Sequence, residues 1–330
     1  MTALKVTAES WPIDGTFTIS RGSKTAADVV VVELTTPGGL RGRGECVPYG
    51  RYGETVEGVM AALRALEPAV AGGLTRAALA ELLPAGAARN ALDCALWDLE
   101  GARTGRPVWE LAGLPAPRPV ETAETLSLDT PDAMAAMAQE VAGNLLKLKV
   151  GDDGVLERVA AVHAAAPHAR LIVDANEAWT LEQTAAWLPD LAALGVVLIE
   201  QPLPAGQDGG LAGLGTPAVP ICADESVHTV EGLRDLVGRY QAVNIKLDKA
   251  GGLTEALRLR REAEALGFAI MVGCMVGTSL AMAPALLLAQ GAAFVDLDGP
   301  LMLRYDRPDG VYYHDGWAEP PSAALWGGSS

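Results

Sequence analysis

The stretch Leu145-Leu146-Lys147-Leu148-Lys149-Val150-Gly151 is short, aliphatic and closed by glycine, so it reads as a strand, yet it carries two lysines. Strand side chains alternate between faces, which puts Lys147 and Lys149 on one side and Leu146, Leu148 and Val150 on the other. Alone, such a strand could be a solvated edge. Further runs close in the same way, however: Leu171-Ile172-Val173 on Asp174, Val196-Val197-Leu198-Ile199 on Glu200, Ile221-Cys222-Ala223 on Asp224, and Val243-Asn244-Ile245 on Lys246. Three carboxylates brought to one point repel unless a cation neutralises them, and an all-oxygen set suits Mg²⁺ or Mn²⁺. Zinc is disfavoured, because the chain has only four His and no His or Cys pair at ligand spacing. A lysine beside a divalent cation in a partly dry cavity has its pKa lowered from about 10.4 toward 7–8, where it acts as a base. Two lysines on opposite sides of a bound carboxylate or carbonyl can take a proton from one face and return it to the other. That is 1,1-proton transfer through a metal-stabilised enolate, and it inverts a stereocentre. Asp296 and Asp298 are spaced i, i+2, so they share a face and can clamp a cation.

The spacing says what positions these groups. The steps are 25 (149 to 174), 26 (174 to 200), 24 (200 to 224) and 22 (224 to 246), and Asp296 lies 50 further, about two steps on. A strand, a crossover helix and two loops need about that length, so the chain reads as a repeated βα unit with a parallel sheet. Charged groups at the same end of successive strands suit a barrel whose site lies at the strands' C-terminal ends. The first strand is expected over Val120 to Leu128, with Thr125 facing inward. Upstream, Val29 to Leu34 reads as a strand, and Glu54 to Leu66 and Ala87 to Arg103 as helices; the second has Leu92, Leu96 and Leu99 on one face. Pro115, Pro117 and Pro119 form a linker. The expected organisation is an α+β domain over 1–117, the barrel over 118–300 and a tail over 301–330.

The 330 residues include 25 basic and 41 acidic ones, a formal net charge of −16, and half are hydrophobic. Such a chain is packed and globular, and its acidity makes nucleic acid an unsuitable partner. Cys46, Cys94, Cys222 and Cys274 are dispersed and read as free thiols, with Cys222 and Cys274 inside strands; this suits a reducing cytoplasm. Met1 to Ser10 lacks a signal-peptide pattern. Ala265 to Val295 carries no charge, but Gly267, Gly273, Gly277, Pro284 and Gly291 divide it into strand, turn, helix, turn and strand, so no membrane span is expected. Homo-oligomerisation is left open.

Together, Lys147-Leu148-Lys149, Asp174-Ala175-Asn176, Glu200-Gln201-Pro202, Ala223-Asp224-Glu225-Ser226 and Lys246-Leu247-Asp248-Lys249-Ala250-Gly251-Gly252 resemble the enolase superfamily, muconate-lactonizing subgroup. The helix around Ala91-Leu92-Asp93-Cys94-Ala95-Leu96-Trp97-Asp98-Leu99 resembles that subgroup's capping-domain helix. The resemblance implies a modified (β/α)₇β TIM barrel, an N-terminal α+β capping domain and a C-terminal tail packed on that cap. It further implies Mg²⁺ on Asp174, Glu200 and Asp224, an acid/base pair of Lys149 and Lys246, and Lys147 stabilising the enolate oxygen.

Asp296-Leu297-Asp298 is similar to the D-x-D of dipeptide epimerases, where it meets the substrate's α-ammonium. Met271 to Ser279, with Cys274 as a substrate contact, and Arg21, facing a glutamate side-chain carboxylate, resemble those acting on Ala-Glu. Gly277 departs from the subgroup, many of whose members have Glu there. The expected activity is therefore epimerisation of L-Ala-D/L-Glu-type dipeptides, in murein-peptide turnover. The alternatives are an N-acylamino acid racemase, an o-succinylbenzoate synthase or a muconate cycloisomerase, whose substrates have no free ammonium for the two aspartates. A non-catalytic ligand-binding barrel would have no use for all three carboxylates and both lysines.

Overall fold

The computed structural model describes residues 1–328. The chain begins with an antiparallel sheet of β1 (Ala3–Ile19), β2 (Gly22–Thr35) and β3 (Arg41–Cys46), in that order. The near-continuous aliphatic run of β2 follows from burial on both faces. Val30, Val32 and Leu34 pack under Val59, Leu63, Leu79, Leu92 and Leu99 of the domain's helices, while Val29 and Val31 join the core shared with the barrel. The helix Ala87–Thr104 lies directly on β3. The contact is close enough that a Cβ on Gly42 would stand 2.3 Å from the Ala95 carbonyl oxygen, and one on Gly44 2.1 Å from that of Ala91. Gly44→Ala is therefore expected to destabilise the chain by about 3 kcal/mol, since backbone must move to admit the methyl. Urea denaturation checks this, and an unchanged midpoint would show that the helix does not press on the strand.

Eight parallel strands then form the second sheet: β5 (Glu124–Leu126), β6 (Leu145–Lys149), β7 (Arg170–Asp174), β8 (Val196–Glu200), β9 (Ile221–Ala223), β10 (Ala242–Ile245), β11 (Ala269–Gly273) and β12 (Phe294–Asp296). They neighbour one another in chain order. The seam between the outer two is bridged by the Ala123 amide donating to the Val295 carbonyl at 2.8 Å and the Leu297 amide to the Thr122 hydroxyl at 2.9 Å. The sheet is thus a nearly closed barrel, capped by the N-terminal domain.

Three details differ from the sequence reading. The expected first strand is two: β4 (Val120–Glu121) pairs with β14 (Trp317–Ala318), itself paired with β13 (Tyr313–His314), and the chain changes partner at Thr122, whose amide donates to the Gly316 carbonyl. The connections before and after β9 carry the 3₁₀ turns Gly209–Leu214 and Leu233–Leu236; glycines and prolines crowd the first of these crossovers and keep a full helix from forming there. Cys274 lies just beyond β11, half-buried, whereas the other three free cysteines are buried.

The last segment returns to the N-terminal domain. Arg307 pairs with Glu45 at 2.7 Å and Glu9 at 2.8 Å, and the Trp326 indole donates to the carbonyls of Arg43 and Cys94. Ala265 to Val295 holds β11, the helix Ser279–Leu288 and β12, and among the described residues no helix is long and apolar enough to cross a membrane.

Candidate active site

Period-two alternation builds the barrel interior in layers. Ala123, Leu145, Ile172, Leu198, Cys222, Ala242 and Met271 form an apolar floor. Two residues further along the strands stand Thr125, Lys147, Asp174, Glu200, Asp224 and Asn244, with Lys149 and Lys246 two beyond Lys147 and Asn244. Strand register sets the carboxylates side by side, since Asp174 is aligned with Glu200 and Glu200 with Cys222, two residues before Asp224. Gly273 leaves room for a neighbour, because a Cβ there would lie 2.7 Å from the Asn244 side-chain oxygen.

Above this layer is a cavity of about 770 Å³ between the barrel mouth and two loops of the N-terminal domain. The barrel contributes Thr125, Lys149, Asp224, Lys246, Cys274, Asp296 and Asp298 to its wall; Arg21, Tyr49 and Tyr52 come from the loops and Lys24 from the start of β2. Lys149 ends β6 and Lys246 follows β10, and three strands separate them around a barrel of eight, so they stand on opposite walls. Lys149 Nζ donates to Asp174 Oδ2 at 2.6 Å, and Lys246 Nζ to Asp224 Oδ2 at 2.7 Å. Lys147 lies deeper, 1% exposed, within 2.7 Å of Asp296 Oδ2 and Glu200 Oε2 and 3.1 Å of Asp174 Oδ2.

Electrostatics in this cluster is a contest between burial and neighbouring charge. Burial disfavours the Asp174 carboxylate, but Lys149, Lys147 and Lys246 outweigh it and hold the group well below the usual range. Asp224 is likewise held down against burial by Lys246 and Lys249. Glu200 goes the other way: burial and then the Asp174 charge push it up to about 7. Burial also works against the ammonium groups of Lys147 and Lys246. The carboxylates win, and both lie above the ordinary lysine range, in contrast to the lowering expected beside a cation.

The donor set fits a hard divalent cation. Among the described residues, no three acidic, His or Cys side chains are drawn together tightly enough to enclose an ion unaided, and each carboxylate faces a lysine instead. Glu200 Oε2 is nevertheless buried with no donor aligned on it, although the Lys147 ammonium is 2.7 Å away. Asp174, Glu200 and Asp224 together offer only oxygen, which is the chemistry Mg²⁺ or Mn²⁺ selects.

Sequence reasoning missed four residues. Lys249, buried on the turn Leu247–Ala250, donates to Asp224 Oδ1 at 2.5 Å and to the Asp224 and Asn244 carbonyls; burial lowers its pKa despite Asp224. Asn244 donates to Glu200 Oε1 at 2.7 Å. The Gln201 side-chain oxygen accepts from the amides of Asp224 and Ser226, fixing that loop. Lys24 lines the cavity, and among the described residues it has no acidic partner. Lys249, Asn244 and Gln201 lay within the runs already singled out, but they act by bonding to the site's carboxylates and backbone, and such contacts leave no spacing signal. Lys24, near the start of β2, is one polar residue among several in its stretch.

Arg21 reaches the cavity, but its guanidinium is occupied. It donates to the Asn176 carbonyl at 2.8 Å, Glu177 at 3.2 Å, Glu225 at 2.7 Å and the Tyr49 hydroxyl at 3.0 Å. Asp296 and Asp298 both line the cavity, although β12 ends at Asp296 and Asp298 starts the 3₁₀ turn Gly299–Met302. Asp298 accepts from the Thr125 amide at 2.6 Å, and burial followed by the Asp296 charge pushes it up to about 7. A cation seated there would relieve that repulsion.

Comparison with known proteins agrees with this geometry. Residues 1–113 match the mandelate racemase/muconate lactonizing enzyme N-terminal domain, and residues 132–324 the enolase C-terminal domain-like family. The chain is 49% identical over 319 residues to an L-Ala-D/L-Glu epimerase of Escherichia coli, covering 96% of this chain and 99% of the other. It is 48% identical over 292 residues to an N-acetyl-D-glutamate racemase of a Pseudoalteromonas species, covering 87% and 92%. Among solved structures, an enolase-family protein from Agrobacterium tumefaciens with homology to dipeptide epimerases, bound to sodium and L-Ala-L-Glu, aligns with a TM-score of 0.96 at 53% identity, over 99% and 100% of the two chains. A dipeptide epimerase from Enterococcus faecalis, complexed with Mg and L-Leu-L-Tyr, aligns with a TM-score of 0.91 at 30% identity over 98% of each chain. With both of its domains matched and its barrel built on the same plan, this chain belongs to the enolase superfamily, in its mandelate racemase/muconate-lactonizing branch.

Proposed function

We propose that the chain is a dipeptide epimerase acting on L-Ala-D/L-Glu and close analogues, such as those released in murein-peptide turnover, by two-base 1,1-proton transfer. The observation that carries this reading is one cavity holding two lysines on opposite walls and, beside them, the acidic pair Asp296 and Asp298. The aspartates bind the α-ammonium and so orient the dipeptide's second residue between Lys149 and Lys246. One lysine removes the α-proton from one face, and the ammonium form of the other returns a proton to the opposite face. Asp174, Glu200 and Asp224 would hold Mg²⁺, which supplies positive charge where the substrate's carboxylate becomes enolate-like. Lys147, fixed by three carboxylates, keeps a permanent positive charge below that point. The relatives' dipeptide and Mg complexes support this reading, and four free cysteines suit a reducing cytoplasm.

A second reading, racemisation of an N-acylated glutamate, is favoured by the N-acetyl-D-glutamate racemase relative. Such a substrate has no ammonium to offset Asp296 and Asp298. Incubating free-amino dipeptides and N-acylamino acids with enzyme, Mg²⁺ and D₂O, and reading α-carbon deuterium by mass spectrometry, separates the two. Faster incorporation into N-acetylglutamate than into L-Ala-L-Glu would displace the dipeptide reading.

The cation that meets the glutamate side chain follows from which one has no acidic partner: Lys24 stands over the Tyr49 ring, 5.2 Å from its centroid, and its charge is otherwise unpaired among the described residues. Lys24→Ala is expected to raise KM for L-Ala-L-Glu about tenfold and to leave L-Ala-L-Leu unchanged, because a charge-assisted contact is lost only with the acidic side chain. Arg21→Ala is expected to affect both dipeptides alike, since its bonds hold Glu225 and the loop. A selective Arg21 effect would return the recognition role to Arg21.

A further inference from the structure

We infer that Glu177 is a positioning residue that latches two separate loops of the N-terminal domain to the barrel mouth through one carboxylate. The loops are the turn at Ser20–Gly22, between β1 and β2, and the segment Pro48–Gly53 with its 3₁₀ turn Gly50–Tyr52. Both roof the cavity, whereas Glu177 does not line it. Arg51 approaches Glu177 fork to fork, Nε to Oε2 and Nη2 to Oε1, each at 2.9 Å. Arg21, from the other loop, donates to the same Oε2 at 3.2 Å and to the adjacent Asn176 carbonyl at 2.8 Å. Oε1 also accepts the Ala205 amide at 2.8 Å, which ties the carboxylate to the loop after β8. The two arginine-bearing loops touch each other where Arg21 donates to the Tyr49 hydroxyl.

The backbone is shaped to present this group. Asn176 and Glu177 have φ values of 45° and 69°, in the left-handed region that non-glycine residues avoid, and the Glu177 amide is held by the Gln201 carbonyl at 2.8 Å. An ordinary surface ion pair contributes little, because water competes for both partners. The Glu177 side chain is only 8% exposed, and the two arginines and Ala205 together draw its carboxyl below its usual pKa, although burial opposes this. One acceptor shared by two loops couples them: removing it strips the Arg51 loop of its side-chain bond to the barrel and loosens the Arg21 loop, which still holds the Asn176 carbonyl and Glu225, while removing Arg51 leaves the Arg21 loop untouched.

The test is hydrogen–deuterium exchange of the full chain without ligand, read over residues 18–25 and 48–54. Glu177→Gln keeps the size and an acceptor for Ala205 but loses the charge, and exchange is expected to rise about tenfold over 48–54 and about threefold over 18–25, where Arg21 keeps Asn176 and Glu225. Arg51→Met is expected to raise it in 48–54 alone. The pair Arg21→Met with Arg51→Met, which leaves Glu177 in place, is expected to match Glu177→Gln over 48–54 and to exceed it over 18–25, because Arg21 also gives up Asn176 and Glu225, and it serves if that variant does not fold. Exchange in the helix Leu181–Ala193 should stay as in the parent, which separates the latch from general destabilisation. No rise in one of the two segments of Glu177→Gln would overturn the latch. The role in substrate binding rests on the dipeptide reading and has its own measurement. KM for L-Ala-L-Glu is expected to rise about tenfold with kcat within about threefold, because the residue holds the roof and touches no reacting atom. Loosened loops with an unchanged KM would overturn that role, and a chain that turns over no dipeptide would leave the exchange result to decide the latch.

Discussion

Replacing Lys149 by alanine is expected to leave an enzyme that exchanges the α-proton of L-Ala-L-Glu with D₂O but does not invert it; Lys246→Ala is expected to do the same with L-Ala-D-Glu. The two-base proposal rests on β7, β8 and β9 separating β6 from β10, which places the lysines on opposite walls. A lone lysine can remove and return a proton only on its own face. The family resemblance implies that Lys149 would serve the D-residue and Lys246 the L-residue. Epimerisation falls by about 10³-fold or more, while exchange of one diastereomer persists. Lys147 cannot take over, being buried behind the cavity wall and held by three carboxylates. The fold survives either change, since Asp174 keeps Lys147 at 3.1 Å and Asp224 keeps Lys249 at 2.5 Å. Proton NMR in D₂O distinguishes loss of the α-proton signal from appearance of the other diastereomer. Near-normal epimerisation by either variant, or equal exchange of both diastereomers, would falsify the two-base assignment.

Glu200→Gln is expected to abolish turnover and Mg²⁺ binding together, as chelation of the parent does, with Mg²⁺ or Mn²⁺ restoring only the parent. Losing a partner behind a metal ligand costs about 10–100-fold in affinity, so losing a ligand oxygen should cost about 100-fold or more. Thermal shift supplies a readout independent of activity, because an ion that binds only the folded chain raises its melting temperature. Glu200 lies at about 7 in the folded protein through burial and the Asp174 charge, against 4.5 ordinarily. Its pKa is thus raised on folding, and the contribution it makes, complete below about 4.5, is lost as pH rises through 7. At pH 8 without metal, the neutral amide should therefore melt no lower than the parent, and with saturating Mg²⁺ the order should reverse. Full activity of exhaustively chelated parent enzyme would overturn the metal assignment.

Much of this was legible in one dimension because alternation and repeat length are local. A βα unit returns the chain to the barrel mouth about every 25 residues, so Asp174, Glu200, Asp224 and Lys246 announce a shared position by spacing alone. Alternation likewise put Lys147 and Lys149 on one face, and the aliphatic runs marked the strands that carry the site. Folding decided what depends on distance between segments remote in sequence. Lys147 and Lys149, two residues apart, differ in role because one meets Asp296 across the barrel seam while the other reaches the cavity. Arg21 proved to be committed to Asn176, Glu177 and Glu225, more than 150 positions away, which left Lys24, near the start of β2 and over the Tyr49 ring, as the neighbouring cation that has no acidic partner among the described residues. Gly44 reads as one more glycine until the helix Ala87–Thr104 lands on it. Spacing reports periodic backbone geometry, which each residue carries with it. Hydrogen-bond partners and pKa shifts arise only once packing has excluded water and brought distant charges within a few ångströms.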